Sequence, residues 1–175
     1  AFAHVQERVH IWHNPWPVAN DAGYQIVQAL FAFAAGGLFG VGLSHGNPGR
    51  IPAVATDFIF AAIGEELGLF GCAAILLAFL LMIGTGMRIA LRAESPFDKL
   101  LATGLTTIFG IQGFIIIGGV TRLVPLTGIT LPFVSYGGSS LISNYVLLAL
   151  LLRISDQETG RAQTMRLAEE ETRVR

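Results

Sequence analysis

The chain has 175 residues, 53% of them hydrophobic and only 13% charged, with a mean hydropathy of +0.62 and a net charge of -1. Soluble domains carry about a quarter charged residues, so an ordinary soluble domain is excluded, and no basic surface argues for nucleic acid. The lone cysteine, Cys72, sits in an apolar run, which excludes a disulfide framework and a thiolate metal cluster and leaves a small packed hydrophobe.

The amino terminus starts at Ala1 and lacks a basic segment followed by an apolar core, so no signal peptide is read there. The chain is expected to be a fragment of a longer membrane protein. Residues 1–23 are polar and aromatic, and Pro15 and Pro17 forbid one continuous helix. Trp12 and Trp16 are residues that settle at headgroup level, so a solvated interfacial loop is expected. Its histidines, His4, His10 and His13, lack partners at ligand spacing.

Tyr24–Leu43 is uncharged but rich in glycine and glutamine, and it reads as a helix plus a Gly-rich turn near the membrane interface. Gly46-Asn47-Pro48-Gly49 is turn chemistry. Thr56 then offers a cap for a helix beginning at Asp57, which runs into the bare stretch Leu67–Met87, about 21 residues and long enough to cross a hydrocarbon core. Carboxylates at the mouth of such a helix are costly without a task or partner. At helical spacing Glu65 falls within a quadrant of Asp57, so the two are expected to share a cavity, while Glu66 faces away.

Arg88, Arg92 and Lys99 form a basic cluster that the positive-inside rule places in the cytoplasm. Leu100–Val120 is the second bare stretch. Leu123–Leu152 is the third, but Pro125 and Pro132 break its first part. Irregular backbone at membrane depth survives only when it is buried in protein or lines a wet cavity, so a re-entrant segment is expected before the last span. The expected architecture is all-α and polytopic. It has an extracytoplasmic loop over 1–56, a membrane region over 57–153 with spans near 60–87, 100–120 and 132–152, and a cytoplasmic tail over 154–175. Arg50, Asp57, Arg122 and the Pro125–Ser140 segment then converge on the outer face.

Two stretches carry a family likeness. Thr56-Asp57-Phe58-Ile59-Phe60-Ala61 with Gly64-Glu65-Glu66-Leu67-Gly68 resembles one hallmark of the SEDS proteins (FtsW, RodA, SpoVE). Pro125-Leu-Thr-Gly128-Ile-Thr-Leu-Pro132-Phe-Val-Ser135-Tyr136-Gly137-Gly138-Ser139-Ser140 resembles the second. The likeness runs from about His4 to Asp156 and corresponds to the carboxy-terminal half of ten-helix proteins. It departs at Pro52-Ala-Val-Ala55, where many members carry an additional acid, and at Gly119-Val-Thr-Arg122.

The resemblance implies a lipid II glycosyltransferase of the bacterial cytoplasmic membrane. Its partners would be a class B penicillin-binding protein and other divisome or elongasome proteins, with Asp57 as catalytic residue. Flipping of lipid-linked precursors and a non-catalytic scaffold role are the alternatives. Such chemistry needs a base and positive charge or a metal ion for the departing diphosphate. Asp57 is the candidate base, or else the ligand of a divalent cation (Mg or Mn). Candidates for substrate contact are Arg50, Glu65, Arg122, Ser135, Tyr136, Gly137, Gly138 and Ser139. For Arg50 the alternative is a surface charge, and for Ser135, Tyr136 and Ser139 it is interhelical hydrogen bonding. The isolated piece is expected to be inactive.

Overall fold

The computed structural model describes residues 2–174, with side chains over 5–157 and at 160. The chain forms five helices, α1 (Phe2–His13), α2 (Tyr24–Gly36), α3 (Ile59–Arg92), α4 (Pro96–Val120) and α5 (Gly138–Val174), with single 3-10 turns at Trp16–Val18 and Pro48–Arg50. No strand occurs among the described residues. Among the described residues three helices are long and apolar enough to cross a membrane: Ile59–Arg92, Pro96–Val120 and the Gly138–Gln157 part of α5. At 13 residues α2 is apolar but too short to span. The expected charged tail continues α5 to Val174, and its side chains at 158–159 and from 161 onward lie outside the described residues.

Residues 2–13, expected as loop, are helical, and the helix stops just before Pro15, whose ring and missing N–H prevent its continuation. Pro96 occupies the first turn of α4 with Asp98 beside it, where a missing N–H costs nothing and a negative charge meets the positive helix end.

The expected Thr56 cap is not formed. The N–H groups of Thr56 and Asp57 both bond to Ala53 O (3.1 Å each), and the Thr56 hydroxyl donates to the same carbonyl (3.1 Å). This closes a tight turn that delays the helix to Ile59. Asp57 therefore sits in the turn ahead of α3, and Phe58 behind it is fully buried.

Gly68 breaks α3 with φ 65° and ψ −159°, a conformation open essentially to glycine alone. A break there frees backbone groups on both sides, and the Gly-rich turn after α2 takes them up. Val41 N bonds to Glu65 O (2.9 Å) and Gly42 N to Glu66 O (3.0 Å), while Leu69 N bonds to Gly37 O (3.0 Å). The turn thus completes the helix ladder from outside, as buried or lipid-facing backbone requires.

Ile11, Ile26, Ala29, Ala32, Ile51, Phe58, Ala61 and Val120 form one buried cluster that gathers α1, α2, the Asp57 turn and the end of α4. Along the apolar helices, contact is made through small residues. A Cβ on Gly86 would strike the Thr106 side chain, and one on Gly113 would lie 3.0 Å from the Phe79 ring. Small residues at such crossings let membrane helices associate where lipid removes the hydrophobic drive.

Candidate active site

Residues 121–137 link α4 to α5 without helix. At their start, Leu123 N bonds to Gly118 O (2.7 Å) and Arg122 N to Gly119 O (3.2 Å). These are the two bonds of a Schellman ending, and Arg122 holds the left-handed position at φ 62°. A non-glycine residue there costs about 1–3 kcal/mol. Its side chain offsets this, because Arg122 Nη2 donates to Trp12 O (2.9 Å) and His13 O (3.2 Å), the unpaired last-turn carbonyls of α1. Hydrogen bonds from a charged donor contribute about 1.5–3 kcal/mol each, so the clasp outweighs the strain. Trp12 Nε1 returns a bond to Arg122 O (2.9 Å). Arg122 Nε is buried without a partner, and nothing in the structure explains it.

Farther along, Arg8 of α1 reaches the same segment, with Nη1 donating to Leu126 O (3.3 Å) and Thr127 O (2.9 Å). The chain then passes Gly128, whose φ of +73° only glycine takes cheaply. The far end of the segment holds the Asp57 turn. Ser135 is buried, its Oγ donates to Thr56 O and accepts from Leu131 N, and Tyr136 N bonds to Ala55 O (2.7 Å). One irregular segment thus grips α1 at its start and the Asp57 turn at its end.

Between these grips lies a cleft of about 630 Å³ lined by Val5, Glu7, Arg8, Ile11, Ala22, Gln25, Ile26, Asp57, Leu126 and Gly128. Asp57 is half-buried, and its carboxylate makes no hydrogen bond or ion pair among the described residues. A Cβ on Gly128 would stand 3.5 Å from Asp57 Oδ2 and 3.9 Å from Arg8 Nη2. The Asp57 carboxylate and the Arg8 guanidinium thus flank a gap beside Gly128 within the cleft. That pairing can take a proton from one bound group and neutralise an anion on another.

The other residues singled out from sequence distribute differently. Arg50 lies exposed in the Pro48–Arg50 turn and does not line the cleft. Arg122 is engaged on α1. Glu65, expected to share a cavity with Asp57, instead accepts from Asn47 N (3.0 Å), and Glu66 accepts from Ser44 N (3.2 Å). The break at Gly68 brings loop 44–47 against that face of α3, so both carboxylates hold the loop. Ser135 contributes through its bond to the turn, and Tyr136 through its backbone, its side chain being exposed. Ser139 lies exposed on the first turn of α5, where its carbonyl accepts from Ser143 Oγ (2.9 Å). A Cβ on Gly137 would have only ordinary neighbours, and one on Gly138 would meet nothing within 4 Å.

Arg8 and Gln25 were missed as site residues. The signal was present in Arg8, Ile11 and Trp12, spaced i, i+3 and i+4 and gathered on one helical face. The carboxylates that line the cleft are Asp57 and Glu7. No three His, Cys, Asp or Glu side chains converge among the described residues, and the Arg8 guanidinium flanks the Asp57 gap.

The holding role of Glu65 makes a direct prediction. Glu65→Gln keeps an acceptor oxygen for Asn47 N and should leave thermal unfolding near the parental value. Glu65→Ala removes it and should cost about 1 kcal/mol. Thermal melts of the two purified variants check this, and equal melting would refute it.

Fold and cleft together define the class: an all-helical protein with three helices fit to cross a membrane, holding a carboxylate-guanidinium cleft beside the first of them. Within that class, residues 2–160 match the family described as cell cycle protein FtsW/RodA/SpoVE, and the chain belongs to this family. It is 56% identical over 154 residues to the peptidoglycan glycosyltransferase RodA of Mycobacterium tuberculosis, covering 88% of this chain and 33% of that protein. It is 43% identical over 157 residues to the probable peptidoglycan glycosyltransferase FtsW of Geobacter metallireducens, covering 89% of this chain and 42% of that protein. A solved chain described under "Structural coordination of polymerization and crosslinking by a peptidoglycan synthase complex" superposes with a TM-score of 0.68 at 30% identity, covering 86% of this chain and 41% of that one. The chain thus spans between a third and about four-tenths of the length of these relatives.

Proposed function

We propose that this chain supplies one wall of the active site of a peptidoglycan glycosyltransferase that polymerises lipid II at the outer face of the bacterial cytoplasmic membrane. The observation that carries the reading is the Asp57 carboxylate, which lines the cleft and makes no hydrogen bond or ion pair among the described residues. In the reaction a sugar hydroxyl oxygen bonds to an anomeric carbon while the bond from that carbon to the lipid diphosphate breaks. Asp57 takes the hydroxyl proton, and the electron pair leaves with the diphosphate. A carboxylate suits this because it accepts the proton as the new bond forms, a contribution of about 100- to 10,000-fold in rate.

The Arg88, Arg92 and Lys99 cluster between α3 and α4, which the positive-inside rule assigns to the cytoplasm, supports an extracytoplasmic cleft. Identity is higher to the relative named RodA (56%) than to the one named FtsW (43%), which supports a RodA-type role. The solved peptidoglycan synthase complex supports a class B penicillin-binding protein as partner.

Purified full-length protein supplied with labelled lipid II should yield glycan polymer, and the 175-residue chain alone should yield none. Transfer of unpolymerised lipid across a vesicle membrane would favour the flippase reading. Neither product, with a penicillin-binding protein still bound, would favour a scaffold.

A further inference from the structure

We infer that Arg8, and neither Arg50 nor Arg122, binds the lipid-linked diphosphate in this cleft. The assignment rests on the reading of the cleft as a lipid-diphosphate site and deepens it.

Two anchors fix the guanidinium. Nη1 donates to Leu126 O at 3.3 Å and to Thr127 O at 2.9 Å, which orients the planar group before any ligand arrives. Nη2 makes no hydrogen bond among the described residues and lies 3.9 Å from the Cβ position of Gly128. Asp57 Oδ2 stands 3.5 Å from that same point. A group entering the gap therefore meets a carboxylate oxygen and a free guanidinium nitrogen together. Those are the two contacts that a hydroxyl losing a proton and a diphosphate gaining charge require. An arginine held rigidly by one nitrogen loses little freedom when the other binds phosphate, which favours it over a lysine at this position.

The other cations are placed elsewhere. Arg122 is committed to Trp12 O and His13 O, and Arg50 stands exposed on its turn away from the lining. Arg88, Arg92 and Lys99 lie at the opposite ends of α3 and α4 from Asp57. Among the described residues Arg8 is the cation that lines the cleft.

The test is equilibrium binding to the full-length protein in detergent, with polyprenyl diphosphate, uncharged polyprenol and phosphatidylglycerol as probes. Arg8→Gln should weaken polyprenyl diphosphate binding roughly tenfold or more, the loss expected for a charge-assisted hydrogen bond. Polyprenol and phosphatidylglycerol binding should stay within about twofold, the scatter of a contact that contributes nothing. Arg50→Gln, on the exposed turn away from the lining, should bind the diphosphate as the parent does. Unchanged diphosphate binding in Arg8→Gln overturns the assignment. So does an equal loss for all three probes with lowered thermal stability, which marks Arg8 as a clasp alone. If Arg8→Gln does not fold, Arg8→Lys decides. It keeps one bond to the 126–127 carbonyls but lacks the fork, so weaker diphosphate binding at parental stability supports the inference and parental binding overturns it. A parent that binds diphosphate through Arg8 yet forms no polymer would defeat the glycosyltransferase reading while leaving this one standing. Polymerisation at parental strength with diphosphate binding indifferent to Arg8 would do the reverse.

Discussion

Asp57→Asn in the full-length protein should reduce lipid II polymerisation by about 100- to 10,000-fold, the range a general base contributes, at unchanged membrane abundance. The separation of these two readouts is argued from the fold. Asp57 is not the first residue of a helix and caps nothing, because the turn is closed by N–H groups and a hydroxyl meeting Ala53 O. Its carboxylate has no bond among the described residues for the substitution to break. Phe58 behind it stays buried, and the Ser135 and Tyr136 bonds go to the Thr56 and Ala55 carbonyls. Asn keeps the volume and loses only charge and proton affinity. Asp57→Glu keeps both but moves the oxygens by a methylene into the gap at Gly128, a displacement on a scale that costs roughly 100-fold. Strand synthesis and membrane abundance measured side by side check this. Near-parental synthesis by the Asn variant would end the catalytic assignment.

The long apolar helices were legible because lipid imposes a simple condition, an uninterrupted run without charge, and Leu67–Met87 and Leu100–Val120 meet it. The irregular segment after α4 was legible as irregular through Pro125 and Pro132. What it grips was not, since Arg122 and Arg8 act across more than a hundred residues on backbone carbonyls, which leave no trace in side-chain pattern. The same reason hid the roles of Glu65 and Glu66. Their spacing from Asp57 places them only if one helix runs from Asp57, whereas α3 starts two residues after it. A single glycine in an apolar run reads as tolerated until the partner that fills the break is seen. That partner, Gly37–Gly42, carries only the pattern of a turn in the sequence.

Gly68→Ala should be severely damaging, with both membrane abundance and polymerisation falling to a small fraction of the parental level. Two costs add. An alanine at φ 65° and ψ −159° carries about 1–3 kcal/mol of backbone strain. Its Cβ would also lie 2.6 Å from Leu38 O and closer still to Gly40 N, which are backbone atoms that cannot rotate away. The chain has one escape, to let α3 run straight so that Leu69 N bonds to Glu65 O. That expels the Gly37–Gly42 turn, strands its N–H and C=O groups beside an apolar helix, and turns the Asp57 end relative to the rest of α3. Gly40→Ala should fail in the same way, because its φ is 80° and its Cβ would run into Glu66 O from the opposite side of the junction. Gly84→Ala is the control. It sits in the straight part of α3 with nothing within 4 Å of its Cβ, so the change should be neutral or stabilise by about 0.5–1 kcal/mol. Abundance, thermal unfolding and strand synthesis compared across the three variants give the answer. If Gly68→Ala tracks Gly84→Ala, the junction does not hold the site in place, and Asp57 must be positioned by the Ser135 side alone.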